Sequence, residues 1–242
     1  SGRIISLSQD KINKRKTERI FEMELKQQNL TLSLDENIIN LRTVMSNSSD
    51  LTIKYAKIGG HRVCIVFCEG MTSTDTMAEL IFQPLNTLTA EMPFENLVRT
   101  LEDGLIIAGE QNQADTYSDI CENIMSGFVA ILVEGLDHAL TIGVQGYASR
   151  SVEPPSTHSN VRSSRDGFVE VVRTNVSLVR RRMKNTDLVF KMMTLGDMSN
   201  TDVCLCYIKN VADKKLVKEV EKRLKQIPLN TILEGGFIQP FL

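Results

Sequence analysis

Apolar residues alternate in some stretches of this chain and recur every three or four residues in others, and the two periods separate strands from helices. Leu51 to Ile58 and Arg62 to Cys68 read as a hairpin joined by Gly59-Gly60, a two-residue loop suited to positive φ. In its second strand Val63, Ile65 and Phe67 share one face and Cys64, Val66 and Cys68 the other, which predicts a strand covered on both sides. Phe128 to Glu134 and His138 to Gln145 form a second pair turned by Gly135-Leu136-Asp137, and Leu188 to Leu195 and Asp202 to Lys209 a third around Gly196-Asp197. Helical spacing predicts Asp35 to Met45 (Ile38, Leu41 and Met45 inward) and a helix from Ser73–Asp75 that stops before Pro84. It also predicts Phe94 to Ile107, Asp115 to Met125, and Asp213 to Gln226 with Leu216, Val220 and Leu224 inward. Residues 10–28 mix charges with few apolar positions and predict a loosely held helix or tail.

One further helix dominates the pattern. Phe168, Val171, Val172, Val176, Val179 and Met183 recur as one buried stripe, and Ser163 with Asp166 fits a capping pattern at its start. Burial at roughly 1.5–3 kcal/mol per large side chain outweighs the poor helix propensity of valine, about 0.7 kcal/mol each. Ahead of it, Pro154-Pro155 stiffen an extended polar segment that offers a core nothing.

Two features exceed what packing needs. Asn175 falls on the apolar stripe, and Arg180, Arg181 and Arg182 crowd the last turn, where cations complement the helix dipole. One reading has Asn175 tying down a neighbouring loop and the arginines as a solvated helix end. The sharper reading joins them to Arg150, Glu153, Arg162, Arg165, Asp166 and Glu170 in a polar network that fastens the proline segment across the helix and sets how two halves of the molecule face each other. Val63–Phe67 and Val203–Tyr207, each followed by a turn and a helix, suggest two related β-β-α modules. The expected architecture is α/β, with two small subdomains, each a mixed sheet of β-hairpins with packed helices. Residues 1–34 form an N-terminal segment, 35–148 the first subdomain and 149–242 the second.

Several of these residues carry a resemblance. Arg150, Glu153-Pro154, Val161-Arg162, Arg165 to Glu170, Arg173-Thr174-Asn175 and Arg180-Arg181-Arg182 resemble the signature of the GerA-type spore germination proteins, the A subunits of bacterial spore germinant receptors. Ser163-Ser164 stands where that family has a Gly-Pro pair, which implies a local backbone difference. The resemblance extends roughly from Asp50 to the end of the chain. It implies a cytoplasmic N-terminal domain preceding a multi-spanning membrane part, which would begin near Phe241-Leu242, in a protein of the spore inner membrane. The implied partners are an integral membrane B-type subunit, a C-type lipoprotein subunit and a small nutrient such as an amino acid, sugar or nucleoside.

Composition changes this picture only by exclusion. Of 242 residues, 42% are hydrophobic and 24% charged, and the net charge of -2 provides no global attraction for nucleic acid. No apolar run approaches the roughly 18–20 residues that span a bilayer, and Ser1-Gly2 reads as a cleavage scar. Cys64, Cys68, Cys121, Cys204 and Cys206 lack ligand-pair spacing and are expected as reduced core residues. No nucleophile elbow, zinc motif, Walker loop or dinucleotide fingerprint is present, and no histidine has a partner spacing that signals a triad; neither an enzyme nor a cofactor is expected. Two functions remain. Either two lobes close on a nutrient held by groups such as Arg150, Arg165 or Asn175, or the domain assembles and couples receptor subunits without sensing. The absence of Trp and the presence of only four Tyr provide little stacking surface for a sugar or base.

Overall fold

The computed structural model describes residues 17–103, 110–146 and 167–242. Helix α1 covers 17–26 and α2 Leu34–Val44, followed by the hairpin β1 (Leu51–Ile58) and β2 (His61–Cys68). Helices α3 (Thr74–Met77), α4 (Gln83–Thr87) and α5 (Phe94–Glu102) lead to β3 (Gln111–Ala114), α6 (Tyr117–Ile124), β4 (Phe128–Val133) and β5 (Ala139–Gly143). The remainder comprises α7 (Val172–Arg182), the hairpin β6 (Leu188–Leu195) and β7 (Thr201–Ile208), and α8 (Lys214–Lys225).

Two antiparallel sheets organise these elements. The larger runs in the order β1-β2-β4-β5-β3 and the smaller pairs β6 with β7. Gly59 and Gly60 turn the first hairpin with φ of 57° and 92°, the positive pair a two-residue turn requires. Strand β2 is covered on both faces. Cys64, Val66 and Cys68 pack with Leu34, Ile38 and Leu41 of α2 and with Ile120 and Ile124 of α6. Val63, Ile65 and Phe67 pack on the opposite side with Ile81, Leu85, Leu97 and Leu101. Strand β3, Gln-Asn-Gln-Ala, lacks apolar alternation and takes its place through its ladder to β5, with only Ala114 of its four residues entering the first core.

In the smaller lobe α7 and α8 sandwich the two-stranded ribbon. Val176 and Val179 of α7 meet Leu188 and Phe190, while Val220 and Leu224 of α8 meet Met193, Leu195 and Val203 on the other face. Asp213 caps α8 by accepting from Lys215 N. Leu216, expected inward, is 62% exposed, because the ribbon is too narrow to cover the full length of the helix.

Three other expectations are corrected. The helix after Ser73 does not stop before Pro84: a π-helical turn over Ala78–Phe82 intervenes, and Pro84 falls in the first turn of α4, directly after it. Residues 167–171 are not helical, so Phe168 and Val171 are exposed and the buried stripe of α7 is shorter than its spacing suggests. Helix α1 is anchored rather than loosely held. Leu25 lies in the first core, and Glu18, Glu22 and Lys26 pair with Lys214, Lys209 and Asp187, so α1 bridges the two lobes. No helix among the described residues is long and apolar enough to cross a membrane.

Candidate functional site: the seam between the lobes

The end of α2 and the first strand are joined by a short loop containing Ser48, Ser49 and Asp50, and this loop meets the smaller lobe. Ser49 N donates to Phe190 O at 2.8 Å. Phe190 N donates to Ser48 Oγ at 2.9 Å and Met192 N to Ser49 Oγ at 3.1 Å. The loop thus satisfies the outer edge of β6 in place of a third strand.

Arg180 completes the junction. Its side chain is 0% exposed, an unusual position for a guanidinium unless its donors are met. Nε donates to Asp50 Oδ2 at 2.7 Å and Nη2 to Asp50 Oδ1 at 3.1 Å, a bidentate pair. Nη1 donates to Asn185 O at 2.7 Å, and Nη2 also reaches Leu188 O at 2.9 Å. The guanidinium carbon lies 5.0 Å from the centre of the Phe190 ring. Asp50 in turn accepts from Ser48 Oγ at 2.5 Å. One cation therefore ties α7, the start of β6 and the loop ahead of β1 together.

Around this buried pair the seam is closed. Arg173 Nη1 reaches both carboxylate oxygens of Glu69, at 2.8 and 2.7 Å, in the open. Gly70 has φ of 77°, and a Cβ there would lie 2.6 Å from Ser177 Cβ, so the turn after β2 admits α7 only as glycine. Lys184 donates to Ser126 Oγ at 3.1 Å. The gap bounded by Asp50, Glu69, Arg173 and Phe190 is about 10 Å³. Burial, reinforced by the Asp50 carboxylate and opposed by Arg180, pushes the neighbouring Cys68 thiol well up, and burial takes Cys121 up to about 12. Both are neutral, inert thiols at physiological pH. Cys206, expected in a core, is exposed, because β7 is half covered where β2 is fully covered.

Of the residues read as a polar network, Glu170, Asn175, Arg180, Arg181 and Arg182 lie among the described residues. Arg180 occupies the buried junction. Asn175 accepts from Val169 N at 2.8 Å and donates to Val169 O at 2.7 Å, holding the approach to α7. Glu170 is exposed and has no ion pair among the described residues. Arg150, Glu153, Arg162, Arg165 and Asp166 lie outside the described residues. The partner of Arg180 is Asp50, which sequence reasoning missed: an aspartate in a Ser-Asn-Ser-Ser-Asp turn is ordinary loop chemistry, and nothing local links it to an arginine 130 positions later. An open apolar groove of about 270 Å³ runs along α7 between Phe168, Val179, Phe190 and Cys206. Among the described residues no group of three or more His, Cys, Asp or Glu is placed to hold a metal.

Two helix-covered antiparallel sheets locked through a buried arginine–carboxylate pair define a two-lobed α/β domain. The chain belongs to the GerA family of spore germination proteins: the model of the Bacillus/Clostridium GerA spore germination protein matches residues 39–242. Spore germination protein KA of Bacillus subtilis (strain 168) is 32% identical over 213 residues, 87% of this chain and 39% of that protein. Spore germination protein GerLA of Bacillus cereus is 29% identical over 212 residues, 87% of this chain and 43% of that protein. The chain thus spans about two fifths of the length of these relatives. The fold is similar to the crystal structure of the N-terminal domain of the A subunit of the Bacillus megaterium spore germinant receptor GerK3. The TM-score is 0.66 at 30% identity, over 87% of this chain and 78% of that one.

Proposed function

We propose that this chain is the N-terminal domain of a germinant-receptor A subunit, residues 35–148 and 149–242 forming its two subdomains, and that it passes a nutrient-triggered change to a membrane part that follows it. On this reading it works with an integral membrane B-type subunit and a lipoprotein C-type subunit at the spore inner membrane, facing the cytoplasm, and has no catalytic activity. The observation that supports a relay over a closing sensor is the fully buried Arg180–Asp50 pair. A cleft that opens and shuts on a nutrient would expose these charges at each cycle, and stripping a buried pair costs several kcal/mol. The gap at the pair, about 10 Å³, also has no room for an amino acid.

The test has two arms. Titration of the 242-residue chain with amino acids, sugars and nucleosides in a calorimeter is expected to give no saturable heat, and a saturable response from any of them favours the sensor. In spores, Asp50→Leu combined with Arg180→Met, which keeps the seam filled, is expected to leave germination intact, whereas Arg180→Ala abolishes it at unchanged protein level. A normal germination response from Arg180→Ala overturns the relay.

A further inference from the structure

On the far side of the smaller ribbon from α7, the end of α2 approaches β6, β7 and α8 and leaves a cleft of about 190 Å³. Lys191, Lys209, Lys214 and Lys218 line it, together with Tyr207 and Ser46. Alternation along the ribbon places Lys191, Tyr207 and Lys209 on one face, and the first turns of α8 bring Lys214 and Lys218 to the same opening.

Three of the four ammonium groups have one carboxylate neighbour each. Lys191 meets Glu221 at 3.0 Å, Lys214 meets Glu18 at 2.7 Å and Lys209 meets Glu22. Lys218 has no ion pair among the described residues. Four cations against three anions leave the cleft one charge positive, and an ammonium carries three donors, of which a single carboxylate contact uses one. The other wall has a polar group of its own: the Ser46 hydroxyl oxygen is buried and has no hydrogen-bond partner among the described residues, an arrangement that folded proteins otherwise avoid. A ring of lysine donors around an opening that Ser46 also lines suits a compact oxyanion. It lacks the arginine fork that selects planar carboxylates, and lysine serves phosphate as a point charge.

We propose that this cleft binds a phosphate group. The site is independent of the relay reading, since it rests on the cleft and its lining alone. Its occupant crosslinks the two lobes, because Ser46 belongs to the larger and the lysines to the smaller. The phosphate can belong to a free ion or to an anionic lipid headgroup, and the experiment separates the two.

The 242-residue chain is titrated with inorganic phosphate and pyrophosphate, followed by amide chemical shifts, and is sedimented with vesicles of phosphatidylglycerol or of phosphatidylcholine alone. Saturable shifts at Ser46, Lys209 and Lys218 are expected with phosphate or pyrophosphate if the source is soluble. Cosedimentation restricted to phosphatidylglycerol, without those shifts, assigns the site to a headgroup. In either arm Lys218→Glu is expected to weaken binding at least tenfold and Ser46→Ala several-fold, both with an unchanged thermal midpoint. Lys222→Glu, one turn further along α8 and outside the lining, is expected to leave binding within twofold. Binding by neither probe overturns the proposal, and so does an equal loss from Lys222→Glu, which would reduce the effect to diffuse charge.

Discussion

The two sheets of this protein hold themselves together differently. The larger has five strands with helices on both faces, and its central strands β2 and β4 are almost wholly buried between two extensive apolar clusters. The smaller has two strands, and among the described residues its clusters contain three buried residues each, Val176, Leu188 and Phe190 on one side and Leu195, Leu224 and Ile232 on the other. A two-stranded ribbon is at best marginal in water. What it lacks in core it recovers at the seam, where the Ser48–Asp50 loop completes its edge and Arg180 ties its first helix to the larger lobe. The integrity of the small lobe is thus borrowed, and a seam substitution is expected to act on it first.

The largest test of that contrast is Arg180→Ala. It strands the Asp50 carboxylate in the interior and is expected to cost about 3–5 kcal/mol, a drop of roughly 6–20 °C in thermal midpoint for a chain of this size. Amide exchange should speed up across β6, β7 and α8 while β2 and β4 stay protected. Uniform loss of protection over both sheets would mean that the lobes fold as one unit and the contrast is wrong. Asp50→Leu with Arg180→Met sharpens it, since filling the space with apolar groups is expected to restore most of the midpoint.

Gly70→Ala comes next. Left-handed backbone costs a non-glycine residue about 1–2 kcal/mol, and the contact with Ser177 adds to that. Gly60→Ala serves as the comparison, with φ of 92° but a nearest neighbour, the flexible Glu91 side chain, at 3.4 Å. The excess loss at Gly70, and its partial recovery with Ser177→Gly, measures how tightly α7 is seated. Equal losses at the two glycines would show that the approach of α7 contributes nothing.

The smallest effect is expected at Glu69→Gln. Its pair with Arg173 shares one guanidinium nitrogen between both carboxylate oxygens, and the side chains are 41% and 54% exposed, so solvent screens it and about 0–1 kcal/mol is at stake. A loss as large as that of Arg180→Ala would erase the distinction between the buried and exposed pairs of one seam.

Much of the larger lobe was legible beforehand, because a strand buried on both faces writes its environment into its composition. Val63 to Cys68 is apolar at every position, and the two faces separate by alternation alone. Gly59-Gly60 and Asp213 announce their turn and cap by residue type, since few other residues supply positive φ or an N-cap oxygen. Strand β3 was invisible for the converse reason: a polar edge strand carries no periodic signal and is placed by the ladder that β5 offers it, with one alanine, Ala114, in the core. The stripe of α7 overreached because Asn175 holds the backbone of Val169 in a non-helical approach, a choice made by one amide rather than by the spacing of valines.

By itself the amino-acid sequence determined the class of the fold, the hairpins, the inward faces of the covered strands and membership in the germination family. All of these follow from local periodicity, turn chemistry and motif. Tertiary structure alone decided which of three adjacent arginines is buried, that Asp50 receives it, that α1 spans the lobes and that Ser46 faces a lysine-lined cleft. Charge has no period. An ion pair across 130 residues leaves no local trace, and only the folded chain brings its two halves within 2.7 Å.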